Sequence, residues 1–75
     1  MLDKIITIAK ETFSDEGLKA DSKIEDAKGF DSMALVQFII ELESNLDMEI
    51  KDEDVDRTFT LVELEGFLKK KAEAK

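Results

Sequence analysis

A chain of 75 residues makes one domain, near the lower size limit at which a single core supports a fold. Without cysteine or histidine it has no thiol nucleophile, no imidazole base and none of the usual nitrogen or sulfur ligands of zinc, which argues against autonomous hydrolytic or redox catalysis. Nineteen acids against eleven bases give a net charge of −8, a field that disfavours nucleic acid and anionic membranes and steers the protein toward basic partner surfaces.

The first segment, MLDKIITIAKETF, lacks the basic lead and small-residue cleavage site of a signal peptide. No apolar run approaches the ~18 residues of a membrane span. A cytoplasmic location is expected, and a monomer, because the charge opposes self-association. Leu2, Ile5, Ile6, Ala9 and Phe13 recur every three or four residues and predict an amphipathic helix that stops near Gly17, a natural C-terminal cap residue. From Gly17 to Asp31 the stretch GLKADSKIEDAKGFD is polar and reads as a loop pinned by Leu18 and Ile24. A loop of roughly fifteen residues in so small a domain is more often functional or mobile than idle.

The second helix is predicted over Ser32 to Leu46, with Leu35, Phe38, Ile39, Leu42 and Leu46 as its core stripe. Met33, Val36 and Ile40 form a second apolar line beside that stripe, to be covered by another helix or left for a partner. The acidic segment that follows supports only a short helical turn near Asp52 to Arg57. Thr60 and Glu63 then make a capping box opening the last helix through Leu61, Leu64, Phe67 and Leu68. Gly66 inside that helix costs about 1 kcal/mol relative to alanine and is expected to mark close packing. Lys69, Lys70 and Lys71 suit the negative end of the helix dipole and read as a solvated helix end. The expected fold is all-α: a single domain over 1–75, a small bundle of three main helices plus one short helix, with a long loop between the first two.

Ser32 stands where the long loop meets the most hydrophobic segment. Asp31 or Ser32 would make a good N-cap. A first-turn serine also sits where free N–H groups and the helix dipole favour an anion, so a phosphate ester on Ser32 would be stabilised there, opposed modestly by Asp31. On the residues alone both readings stand.

The run GFDSM, Gly29 to Met33, followed by the second helix, resembles the modification site of acyl carrier proteins, written as glycine, any residue, Asp, Ser, Leu. Ile24-Glu25-Asp26 upstream, Val36, Leu42 and Glu43, then Glu49-Ile50, Asp52-Glu53 and Thr60 fall in the same order, so the resemblance covers nearly the whole chain. It implies a carrier, not an enzyme, with no catalytic residue and no metal. Ser32 would accept 4′-phosphopantetheine from coenzyme A through a separate magnesium-dependent phosphopantetheinyl transferase. The prosthetic group would supply the sulfur that the chain lacks and hold acyl or aminoacyl cargo as a thioester. Partners would be acyl- or aminoacyl-processing enzymes with basic surfaces, in fatty-acid, lipid or secondary-metabolite biosynthesis. Asp31, Met33, Val36, Ile40 and Glu41 would contact them, and Leu42, Ile50, Val55 and Leu64 would line an acyl pocket or serve as ordinary core.

Three departures from the family pattern carry expectations. Met33 replaces the common leucine at conserved volume. Ala34 and Gln37 lie where fatty-acid carriers typically show acids, which points toward a specialised pathway. Phe30, next to an extra residue in the Ala27-Lys28-Gly29 stretch, would pack against the prosthetic arm or a partner, or simply anchor the loop.

Two readings of other classes compete. Asp52, Asp54, Asp56, Thr60 and Glu63 match the ligand spacing of an EF-hand calcium loop over 52–63, although Arg57 occupies the position that needs glycine. Loose divalent-cation binding by the same acids would relieve self-repulsion. Alternatively, the second apolar line binds a protein while Ser32 stays unmodified, making the chain a non-catalytic interaction module.

Overall fold

The computed structural model describes residues 2–73. Helices α1 (Leu2–Phe13), α2 (Ser32–Leu46) and α3 (Leu61–Glu73) form the bundle, with 3₁₀ turns at Ile24–Asp26 and Asp52–Asp54 in the two connections. The all-α expectation holds, and α2 has the predicted bounds.

In α1 the buried line is Ile5, Ile8, Ala9 and Phe13, whereas Leu2 and Ile6 pack at the edge of the core. The helix stops before Gly17. Ser14 adopts the left-handed conformation at φ 53°, and the Asp15 amide donates to the Lys10 carbonyl at 3.0 Å. That is the six-to-one closure of a Schellman end, which satisfies an orphan carbonyl without a glycine. Leu18 and Ile24 are buried and pin the following loop as expected. The loop itself is more ordered than its composition suggests. Ile24 and Glu25 amides donate to the carbonyls of Phe59 and Arg57, each at 3.0 Å, while Leu61 and Val62 amides donate to Ser22 and Ala20 at 3.1 and 2.9 Å. An antiparallel bridge at Lys23 and Thr60 lies between them. The two connections therefore share backbone hydrogen bonds that neither could satisfy alone.

The second turn spans three residues, shorter than the predicted Asp52 to Arg57. Asp54 holds it in place by accepting from the Lys51 amide at 3.2 Å and from Lys71 Nζ at 2.9 Å. The Lys71 bond, followed by the Lys51 amide, lowers the Asp54 carboxyl below the ordinary carboxylate range. Lys71 is thus a tertiary tie rather than part of a solvated helix end, and reaches 17 residues back along the chain.

The α3 capping box is present. The Thr60 amide donates to Glu63 Oε1 at 2.9 Å and the Glu63 amide donates to Thr60 Oγ1 at 3.2 Å. Gly66, by contrast, marks no close packing: a Cβ added there meets nothing within 4 Å. With no neighbour to accommodate and only helix propensity at stake, Gly66→Ala is expected to stabilise the protein by about 0.5–1 kcal/mol, read from chemical denaturation.

The core is apolar throughout the described residues, with no buried polar or charged side chain. Phe13 and Phe38 meet at its centre with ring centroids 5.2 Å apart and planes tilted by 52°, within the favoured range for an aromatic pair. Ile5, Ile24, Ile39, Leu42, Leu61, Leu64 and Leu68 close around them. No helix among the described residues is long and apolar enough to cross a membrane.

Candidate functional site

The exposed Ser32 is the first residue of α2. The question of which side chain caps the helix has a direct answer. Asp31, extended at φ −157°, accepts from the Ala34 amide through its side chain, at 2.7 Å to Oδ1. The capping duty falls on Asp31, and the Ser32 hydroxyl is left outside it, on the solvent side.

The approach to Ser32 is held against the C-terminal end of α1. Asp15 staples it: Oδ1 accepts from the Gly17 amide and Oδ2 from the Lys28 amide, each at 3.0 Å. The Lys28 bond first, then the Gly17 bond, hold the Asp15 carboxyl below its usual pKa. Gly29 follows, and its Cα lies so close to α1 that a Cβ would come within 3.0 Å of the Phe13 carbonyl carbon and nearer still to its oxygen. Phe30 is half-buried, its ring centroid 6.0 Å from that of Phe13. It anchors the loop, the second of its two expected roles.

Beyond Ser32 the second apolar line of α2 is not covered by another helix. Met33, Val36 and Ile40 are 83%, 42% and 50% exposed. Ser32, Met33, Val36 and Gln37 line a shallow depression. Glu41, half-buried, accepts from Gln37 Nε2 at 3.1 Å and faces the polar groove between α1 and α2. Asp31 and Glu41 therefore flank the apolar line, and the positions of Ala34 and Gln37 add no charge to it. Glu43 turns elsewhere and accepts from the Ile50 amide at 3.2 Å, tying α2 to its following connection. The four residues considered as pocket walls, Leu42, Ile50, Val55 and Leu64, all belong to the one buried core cluster.

The structure does not support the calcium-loop reading. Asp54 is engaged by Lys71 and the Lys51 amide. Asp56 Oδ1 accepts from the Thr58 amide at 2.9 Å and the Thr58 hydroxyl at 2.7 Å, which lowers its pKa. Glu63 Oε1 is occupied by the Thr60 amide of the capping box. Among the described residues no three or more acidic side chains gather into a group that could hold a metal ion. Three acids at the EF-hand spacing, Asp54, Asp56 and Glu63, thus serve local turns, a helix cap and a lysine.

Sequence reasoning passed over Asp15 and the Gly29 contact altogether. An acid just past a helix end carries no periodic signal, and the Lys28 amide bound by Asp15 and the Phe13 carbonyl beside Gly29 each lie more than ten residues away in the chain.

Comparison with known proteins bears on the same residues. The family described as phosphopantetheine attachment site matches residues 3–68. The chain is similar to the acyl carrier protein of Chlorobium phaeovibrioides, 34% identical over 71 residues that cover 92% of this chain and 91% of the relative. It is likewise similar to that of Chlorobium phaeobacteroides, 33% identical over 66 residues, covering 88% and 85%. The acyl carrier protein of Bdellovibrio bacteriovorus is 33% identical over 57 residues, covering 76% and 73%. No solved structure matches significantly. With a match over nearly its full length, the chain belongs to the acyl carrier protein family, as a non-catalytic carrier with covalently attached 4′-phosphopantetheine.

Proposed function

We propose that Ser32 is the attachment residue and that the chain carries acyl or aminoacyl groups as thioesters between enzymes of fatty-acid, lipid or secondary-metabolite synthesis. The observation that carries this reading is the division of labour at the start of α2: Asp31 caps the helix while the Ser32 hydroxyl stays exposed. The residues present fit the group. A phosphodiester on Ser32 would lie at the first turn of a helix whose N–H groups and dipole favour negative charge. The bound group supplies the thiol that a chain without cysteine cannot.

Asp31, Met33, Val36, Ile40 and Glu41 would form the docking surface for the phosphopantetheinyl transferase and the later enzymes. Apolar members provide burial, and the two acids steer basic partners. The uncharged Ala34 and Gln37 beside Ser32 support a partner set other than that of general fatty-acid synthesis. An acyl chain drawn into the bundle would have to part Leu42, Ile50, Val55 and Leu64.

The test is incubation with coenzyme A, magnesium and a broad-specificity phosphopantetheinyl transferase. A gain of about 340 Da, the size of the prosthetic group, is expected on the Ser32 peptide and is lost in Ser32→Ala. No gain with several transferases would overturn the assignment and leave a protein-binding module.

A further inference from the structure

Met33 differs from its apolar neighbours in both exposure and chemistry. At 83% exposed it is the most solvent-accessible of the large hydrophobic residues described, and its thioether is polarisable and oxidisable where Val36 and Ile40 are inert. The chain has no cysteine to intercept a peroxide, so its sulfur chemistry rests on three methionines. Of these, Met48 packs partly buried against the core, and Met1 lies outside the described residues. Met33 also lines the depression that contains Ser32.

We propose that Met33 is an oxidation site, at which a peroxide turns the apolar lip of the Ser32 depression polar and weakens docking of the transferase. The step is a two-electron transfer. The thioether sulfur attacks one peroxide oxygen, an S–O bond forms as the O–O bond breaks, and the departing hydroxide takes the proton from the new S–OH group to leave as water. Sulfur is oxidised to sulfoxide and peroxide is reduced. The product is a polar, chiral side chain in place of a flexible apolar one, and a sulfoxide reductase reverses it. Burying that group against an apolar partner surface forfeits the transfer free energy that methionine supplies. The consequence for docking rests on the assignment of Ser32; the order of oxidation does not.

Dilute hydrogen peroxide, followed over time by peptide mass, tests both parts on the full chain. A gain of about 16 Da is expected on Met33 severalfold faster than on Met48. The oxidised chain should show a severalfold higher KM as transferase substrate with kcat little changed, restored by methionine sulfoxide reductase. Met33→Leu, treated identically, should keep its own untreated KM. Met48 oxidising as fast as Met33, an unchanged KM after Met33 is oxidised, or an equal KM rise in Met33→Leu would each overturn the proposal. An untreated chain that gains no prosthetic group would instead overturn the Ser32 assignment and the docking consequence with it, while the oxidation order is still read from the same samples.

Discussion

Phe38→Ala is expected to lose about 3–5 kcal/mol of folding stability, because a buried aromatic ring is removed and the cavity closes only in part. Domains have roughly 0.05–0.15 kcal/mol of stability per residue, or about 4–11 kcal/mol for a chain of this length, so the loss is a large share of the whole. Phe38 is fully buried and packs on Phe13 at 5.2 Å. Phe13 in turn carries Phe30, the anchor of the segment that delivers Ser32. Removing the ring therefore loosens the support of the site as well as the bundle. Urea denaturation followed by circular dichroism should show a lower midpoint and a substantial unfolded fraction at physiological temperature. The half-buried Phe67 offers the comparison: its truncation should cost clearly less. A loss below about 1 kcal/mol at Phe38 would mean that the helices close over the cavity, contrary to the rigid packing described here.

Which parts of this protein could be read from its sequence follows from the range of the interaction involved. The bounds and core stripe of α2 were legible, because the periodic signal is local: Phe38, Ile39 and Leu42 are buried and Leu35 and Leu46 partly so, whereas the line of Met33, Val36 and Ile40, which the residues alone left either covered or open, is exposed. The Thr60 and Glu63 capping box was legible for the same reason. The stop of α1 was misplaced at Gly17 because a left-handed Ser14, though rarer, gives the same closure. Gly66 was misread as close packing, since a glycine in a helix looks the same in sequence whether it faces a neighbour or solvent. The pairing of residues 20–25 with 57–62 and the tie from Lys71 to Asp54 left no local trace, for each joins segments far apart in the chain. Acids at alternating positions over 52–56 were ambiguous by nature. The same oxygen donors that could ring a cation also satisfy turn amides, as Asp56 does for Thr58. At the site itself, residues alone could not say whether Asp31 or Ser32 caps the helix; the bond from the Ala34 amide assigns the cap to Asp31.

Gly29→Ala is expected to destabilise the protein by about 1–3 kcal/mol, the usual range for overpacking, and to slow loading at Ser32. Gly29 is exposed by surface area, which ordinarily predicts tolerance. Its φ is not in the left-handed region, so alanine meets no backbone penalty there. The obstacle is a neighbour. The new Cβ would be driven into the Phe13 carbonyl, and this is backbone at the end of α1, not the far end of a flexible side chain. Either α1 or the segment 27–31 must move, and the segment is the weaker of the two, held by the Asp15 bond to the Lys28 amide and by the Phe30 ring on Phe13. Lifting it disturbs Asp31, whose bond to the Ala34 amide starts α2. Stability and loading should therefore fall together at Gly29, whereas Gly66→Ala raises stability and leaves loading as it was. Denaturation midpoints and transferase kcat/KM for the two variants separate these outcomes. A Gly29→Ala chain as stable as its parent would show that α1 and the loop do not meet as closely as their backbones indicate.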